Sequence, residues 1–89
     1  MKAFVSVLGK DKVGIIHEVT SVLSKNNVNI LDINQTLIDD YFAMVMLVDL
    51  SKMQLEFKDL KTKLENKAAE IDVSIKVQRE DIFNSMYKI

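Results

Sequence analysis

Apolar and polar positions change period several times along the chain, and each change predicts an element. Lys2 to Leu8, KAFVSVL, is rich in β-branched and aromatic residues and stops at Gly9, which reads as a strand. Ile15, Ile16, Val19, Val22 and Leu23 then recur at helical spacing, with His17, Glu18, Ser21 and Lys25 on the other side. This predicts a helix from about Lys12 to Asn26, capped by Asp11 through the free amides of Val13 or Gly14 and stopped by Asn26-Asn27. Val28 to Ile38 predicts a second strand with Leu31, Ile33 and Leu37 on one face and Asp32, Asn34 and Thr36 on the other. Its phase slips near Ile30-Leu31, the mark of a bulge. Asp39-Asp40 makes a tight turn into a third strand, Tyr41 to Leu50, which is apolar on both faces.

Ser51 and Gln54 fit a capping box ahead of a second helix reaching about Glu70 and burying Met53, Phe57, Leu60, Leu64 and Ala68. Ile71 to Gln78, IDVSIKVQ, alternates strictly and predicts a fourth strand that buries Ile71, Val73, Ile75 and Val77. Glu80 to Tyr87 predicts a short terminal helix placing Ile82, Phe83 and Met86 against the body or a partner. The order is βαββαβ plus a tail. With right-handed crossovers it gives an α+β, ferredoxin-like fold with sheet order 4-1-3-2 and both helices on one face. The expected organisation is a single domain over residues 1–89, with a core at 1–78 and a helical tail at 79–89.

Length and composition narrow what this fold does. A chain of 89 residues has room for one core and not for a deep, many-walled active site, so a ligand belongs on a surface or between subunits. The net charge is -1 and the lysines lie among acids, as in KDLKTKLENKAAE, so no basic stripe exists for nucleic acid. The absence of cysteine removes disulfides, thiolate nucleophiles and thiolate metal sites. No cofactor is expected. The apolar run near the N-terminus is shorter than that of a signal peptide and nothing suggests a membrane segment, so the expected location is the cytoplasm.

Candidate chemistry is sparse. Metal-carrying relatives of the fold use paired cysteines in the first loop, where this chain has GKDKVG. RNA-binding versions need aromatic residues with a basic, glycine-containing motif on the central strands, and YFAMVMLV lacks Lys, Arg and Gly. Acyl phosphate hydrolysis wants an arginine in the first loop, and the one arginine is Arg79. His17, the one candidate base near neutral pH, has no positioned nucleophile and reads as a solvated surface residue. Asp39-Asp40 reads as a turn, not a metal site. The chain is therefore not expected to be an enzyme.

Both glycines of the chain, Gly9 and Gly14, flank the first loop. Geometry alone leaves two readings level: the glycines turn and pack the chain, or they let a ligand carboxylate approach the helix N-terminus. The run LGKDKVGIIHEVTSVLSKNNVNILDINQT tips this balance. It resembles the N-terminal half of ACT domains, small regulatory modules of amino-acid metabolism. Asp11 and Gly14 match the acidic residue and glycine of the family's first loop, and Val28-Asn29-Ile30 the phrase that opens its second strand. The resemblance covers residues 1 to about 78 and is strongest to short stand-alone members of bacteria and archaea. Val13 stands where many members have proline.

The resemblance implies a homo-oligomer that binds a small ligand, an amino acid, at the subunit interface. The loop of one subunit (Asp11, Lys12, Val13, Gly14 and Ile15) and Asn29 on a neighbour's second strand would hold it. An enzyme or regulator of amino-acid metabolism is the implied protein partner, and the rival reading is a ligand-free oligomerisation or interaction module. With Gly14 read inside the first helical turn, a leucine there is expected to spare the fold and block the ligand. The two apolar faces of the third strand independently predict self-association.

Overall fold

The computed structural model describes residues 1–81. The chain runs through β1 (Lys2–Lys10), α1 (Ile15–Lys25), β2 (Asn29–Ile38), β3 (Tyr41–Asp49), α2 (Phe57–Ile71) and β4 (Ser74–Arg79). The strands form one antiparallel sheet in the order β2-β3-β1-β4, the α+β arrangement that the hydrophobic pattern predicts. Alternation on the strands decides which side is core. Ala3, Val5 and Val7 on β1 pair with Val48, Met46 and Met44 on β3 and, for the latter two, with Val77 and Ile75 on β4; all are buried. Ile15, Val19 and Leu23 of α1 and Leu60, Leu64 and Ala68 of α2 close this side into one core. Each such large aliphatic side chain contributes about 1.5–3 kcal/mol on leaving water.

The β2–β3 hairpin turns tightly, with Ile38 opposite Tyr41 and Asp39 in the left-handed region at φ 58°. The predicted bulge is present: the register slips between Ile30 and Asp32, leaving Leu31 unpaired. Past the bulge, residues 31–38 are all exposed. Ile33 and Leu37 sit opposite the buried Met46 and Phe42, so they face the helix side of the sheet at a place the helices do not reach. The stop of α1 also follows expectation. Asn27 is left-handed (φ 59°), and the Asn26 side-chain amide donates to the Val22 carbonyl at 2.7 Å.

Three boundaries differ from the sequence reading. Helix α1 starts at Ile15, not Lys12, and Asp11 does not cap it: the Asp11 amide donates to the Asp40 carbonyl at 2.9 Å and so continues the sheet. Gly14 occupies the N-cap position with φ 91°, left-handed and not helical, so a leucine there is strained and not the neutral change expected. The capping box does not form. The Ser51 amide is taken by Asp49 Oδ1 at 2.9 Å, the Met53 amide by the Leu50 carbonyl at 3.0 Å, and α2 begins only at Phe57 after Glu56. Ile71 ends α2 instead of starting β4, because Asp72 turns left-handed (φ 56°) and breaks the path between them. The predicted terminal helix falls almost entirely outside the described residues.

Candidate functional site

The loop from Asp11 to Gly14 joins the middle of the sheet to the start of α1, and each residue is placed by a different force. Asp11 is held by its backbone to Asp40, and beside it Lys10 and Asp40 form an exposed ion pair at 3.6 Å. Lys12 reaches the other way: its ammonium donates to the Ile71 carbonyl at 2.9 Å, where the C-terminus of α2 favours a cation. Val13 is wholly exposed at the tip. Gly14 supplies the left-handed turn, and a Cβ there would meet nothing within 4 Å, so the space above it is open. Ile15 is buried and pins the helix start to the core.

The first helical bond of α1 runs from the Glu18 amide to the Gly14 carbonyl at 2.9 Å. The amides of Ile15, Ile16 and His17 therefore precede the helical ladder, and no side chain caps Gly14's end. They overlook a small concavity of about 130 Å³ bordered by Asp11, Lys12, Ile16, His17 and Phe42. Asp11 and Phe42 also border a neighbouring cavity of about 300 Å³ whose far wall is Gln35, Thr36 and Leu37 of β2. A carboxylate, free helix amides and an aromatic floor thus meet at one corner. Sequence reading missed Gln35, Thr36 and Phe42. Gln35 had left a signal, as a polar residue in phase with Ile33 and Leu37 on the helix side of an edge strand.

Asn29 is not at this corner. It pairs with Asp49 at one end of β2, whereas Ile38, beside Tyr41 and Lys10, is at the other. Nine residue steps separate the two ends, about 30 Å at strand rise. Asn29 instead borders a groove of about 410 Å³ with Val28, Ile30 and the α1 residues His17, Thr20, Ser21 and Ser24. Within one chain the loop residues Asp11, Lys12, Val13, Gly14 and Ile15 come together and Asn29 does not join them. His17 borders both the groove and the loop concavity, so the uncovered flank of α1 links them.

Electrostatics are mild. The Glu18 carboxyl lies below its ordinary value, chiefly because Lys67 donates to it at 2.9 Å, and Asp49 lies below its own because it accepts the Ser51 amide. Among the described residues no cluster of His, Asp or Glu is placed to hold a metal, and no helix is long and apolar enough to cross a membrane.

Comparison with known proteins bears on the family and the fold. The sequence pattern of the ACT domain matches residues 3–78. A UPF0237 protein of Clostridium acetobutylicum is 52% identical over 89 residues, covering 100% of each chain. Among solved structures, an ACT domain protein from Streptococcus pneumoniae superposes with a TM-score of 0.84 at 38% identity, covering 98% of each chain. The ligand-free regulatory subunit of aspartate kinase from Thermus thermophilus shares the fold at a TM-score of 0.66 and 21% identity, over 86% of this chain and 50% of that one. With the pattern matched across the whole βαββαβ core and a full-length relative at half identity, the chain belongs to the ACT domain family.

Proposed function

We propose that this chain is a stand-alone regulatory ACT domain of the cytoplasm that binds a free amino acid between two copies of itself. One observation carries the reading: the loop corner opens beside the bare edge of β2. Pairing two β2 strands antiparallel about their midpoint sets the partner's Asn29 opposite Ile38, next to the loop corner. The separation of Asn29 from Asp11 within a chain then becomes juxtaposition between chains. The free amides of Ile15, Ile16 and His17 suit a carboxylate and Asp11 suits an ammonium group, the two charges every free amino acid carries. A regulatory output is consistent with the use of this fold in the regulatory subunit of aspartate kinase. An enzyme or regulator of amino-acid metabolism would receive the signal.

The experiment is a thermal-shift screen of the free amino acids, run alongside sedimentation. A ligand at a hundred times its Kd adds about 2.7 kcal/mol, several degrees for a domain of this size. The expected result is a dimer or larger even assembly whose melting point rises with at least one amino acid. A 10.2 kDa species at micromolar concentration sinks the interface, and an assembly that no amino acid stabilises favours a ligand-free interaction module.

A further inference from the structure

When the β2 edges pair as proposed, the partner's Asn29 comes to the loop corner, and the groove of about 410 Å³ that Asn29 borders comes with it. A ligand held at the corner by its carboxylate and ammonium groups then has an outlet for its side chain in the neighbouring subunit. The lining of the groove decides what that outlet accepts. None of the described residues lining it is Asp, Glu, Lys or Arg, and His17 is its one titratable group. Thr20, Ser21 and Ser24 form one wall along a flank of α1, and Val28, Asn29 and Ile30 form the other.

Hydrogen bonds along the helix fix which polar roles stay open. The Thr20 hydroxyl donates to the Ile16 carbonyl at 2.7 Å, and the Ser24 hydroxyl to the Ser21 carbonyl at 3.3 Å. Their protons are engaged, so both oxygens are left as acceptors. The Ser21 hydroxyl and the Asn29 carboxamide bond to no described residue and can take either role. A ligand side chain that donates a hydrogen bond therefore meets partners here. An aliphatic one covers acceptors without satisfying them, and a charged one finds no counter-ion. The other cavity against the loop, about 250 Å³ between the two helices, is charged instead, but most of its charge is engaged: Lys12 on the Ile71 carbonyl, and Glu18 and Glu70 on Lys67.

We propose that the amino acid recognised at this interface carries an uncharged side chain that donates hydrogen bonds, a carboxamide or a hydroxyl, and that Thr20, Ser21 and Ser24 of the subunit supplying Asn29 select it. This rests on the amino-acid site proposed above and adds its selectivity. The ligand's carboxylate and ammonium are then read by one chain and its side chain by the other, so the choice of ligand belongs to the assembled pair.

Titration calorimetry with matched probes tests this: L-asparagine against L-aspartate and L-leucine, which have nearly its shape, L-threonine against L-valine, and L-glutamine against L-glutamate. The expected result is that asparagine, threonine or glutamine binds tightest, about tenfold or more ahead of its charged or aliphatic counterpart, the worth of one or two hydrogen bonds. Thr20→Val, and Ser21→Ala combined with Ser24→Ala, should each cut that lead several-fold. Alanine suits a helix better than serine, so the paired change does not threaten the fold. Thr62→Val is the control: it removes a like bond on α2, from the Thr62 hydroxyl to the Lys58 carbonyl at 3.0 Å, and should leave the lead intact. A charged or aliphatic probe as the tightest ligand, or a lead that survives both groove variants, overturns the selectivity and leaves the site standing. Silence with every free amino acid in the thermal-shift screen removes the site and the selectivity together.

Discussion

At Gly9 an added Cβ would stand 2.8 Å from Val73 Cγ1, 3.0 Å from Val73 Cβ and 3.2 Å from Val73 Cα, so even one methyl group must push back the residue that leads into β4. At Gly14 the same atom meets open space, and the obstacle is the backbone itself at φ 91°. The two glycines therefore respond differently to one substitution. Gly9→Ala is expected to cost about 1–3 kcal/mol through overpacking. Adding Val73→Ala, which removes the nearest atom, should return part of that cost. Gly14→Ala should cost about 1–2 kcal/mol through left-handed strain, and Gly14→Leu about the same, with no relief from any neighbour. Urea unfolding of the four variants and the wild type checks this; a Gly14→Leu penalty far above that of Gly14→Ala would mean that the space is closed. The sequence makes both positions conspicuous, yet which one is about space depends on Val73, far along the chain, and cannot be read locally.

Between elements, the tie that sets α1 against α2 is Lys67, whose ammonium lies 2.9 Å from Glu18 Oε1 and 2.9 Å from Glu70 Oε2. The hydrogen bond from Lys67 is the main cause of Glu18's depressed pKa, and the bonds to Glu18 and then Glu70 of Lys67's raised one. A depressed carboxylate contributes stability above its unfolded pKa and loses it as pH falls through the lower folded value. A raised lysine keeps its contribution below its unfolded pKa and loses it as pH rises through the higher folded value. Neutral pH thus has both. Glu18→Gln should flatten the acid limb of a plot of urea midpoint against pH and leave the alkaline limb partly in place. The effect will be modest and weaker in salt, because Glu18 and Glu70 remain 39% and 65% exposed. An unchanged acid limb would show that the tie contributes nothing. Lys67 and Glu70 are helix neighbours and legible in the sequence, whereas Lys67 and Glu18 meet only once the helices pack. Element ends obey the same distinction. Asn26-Asn27 stops α1 by local chemistry and was readable, but the Ser51 amide is claimed by Asp49 from the preceding strand, so a sound capping pattern produced no cap.

At the scale of the whole molecule, the strand order followed from the apolar periods because each βα unit has few ways to return to one sheet. The site was legible only in part. Asp11 to Ile15 are consecutive and any fold keeps them together, but Asn29 lies at the far end of β2, about 30 Å at strand rise from the Ile38 end that adjoins the loop corner, and one chain does not bring it there. The proposed antiparallel pairing of β2 edges does, and this makes a prediction that a site within one chain cannot imitate. Asp11→Ala and Asn29→Ala, each alone, should abolish the thermal shift given by an amino acid, since every site in either homodimer lacks one contributor. Mixing the two proteins under conditions that exchange subunits forms heterodimers with two unlike sites. One combines Asp11→Ala with Asn29→Ala and is dead. The other combines the unaltered loop of one chain with the unaltered Asn29 of the other and is intact. Titration calorimetry on an equal mixture should therefore recover binding at about wild-type affinity, with a stoichiometry of about one quarter of the wild-type sites when subunits pair at random. If the mixture stays silent although exchange is verified by mass, the loop and Asn29 do not share a ligand across the interface. If Asn29→Ala alone binds normally, the loop corner works without the neighbouring strand.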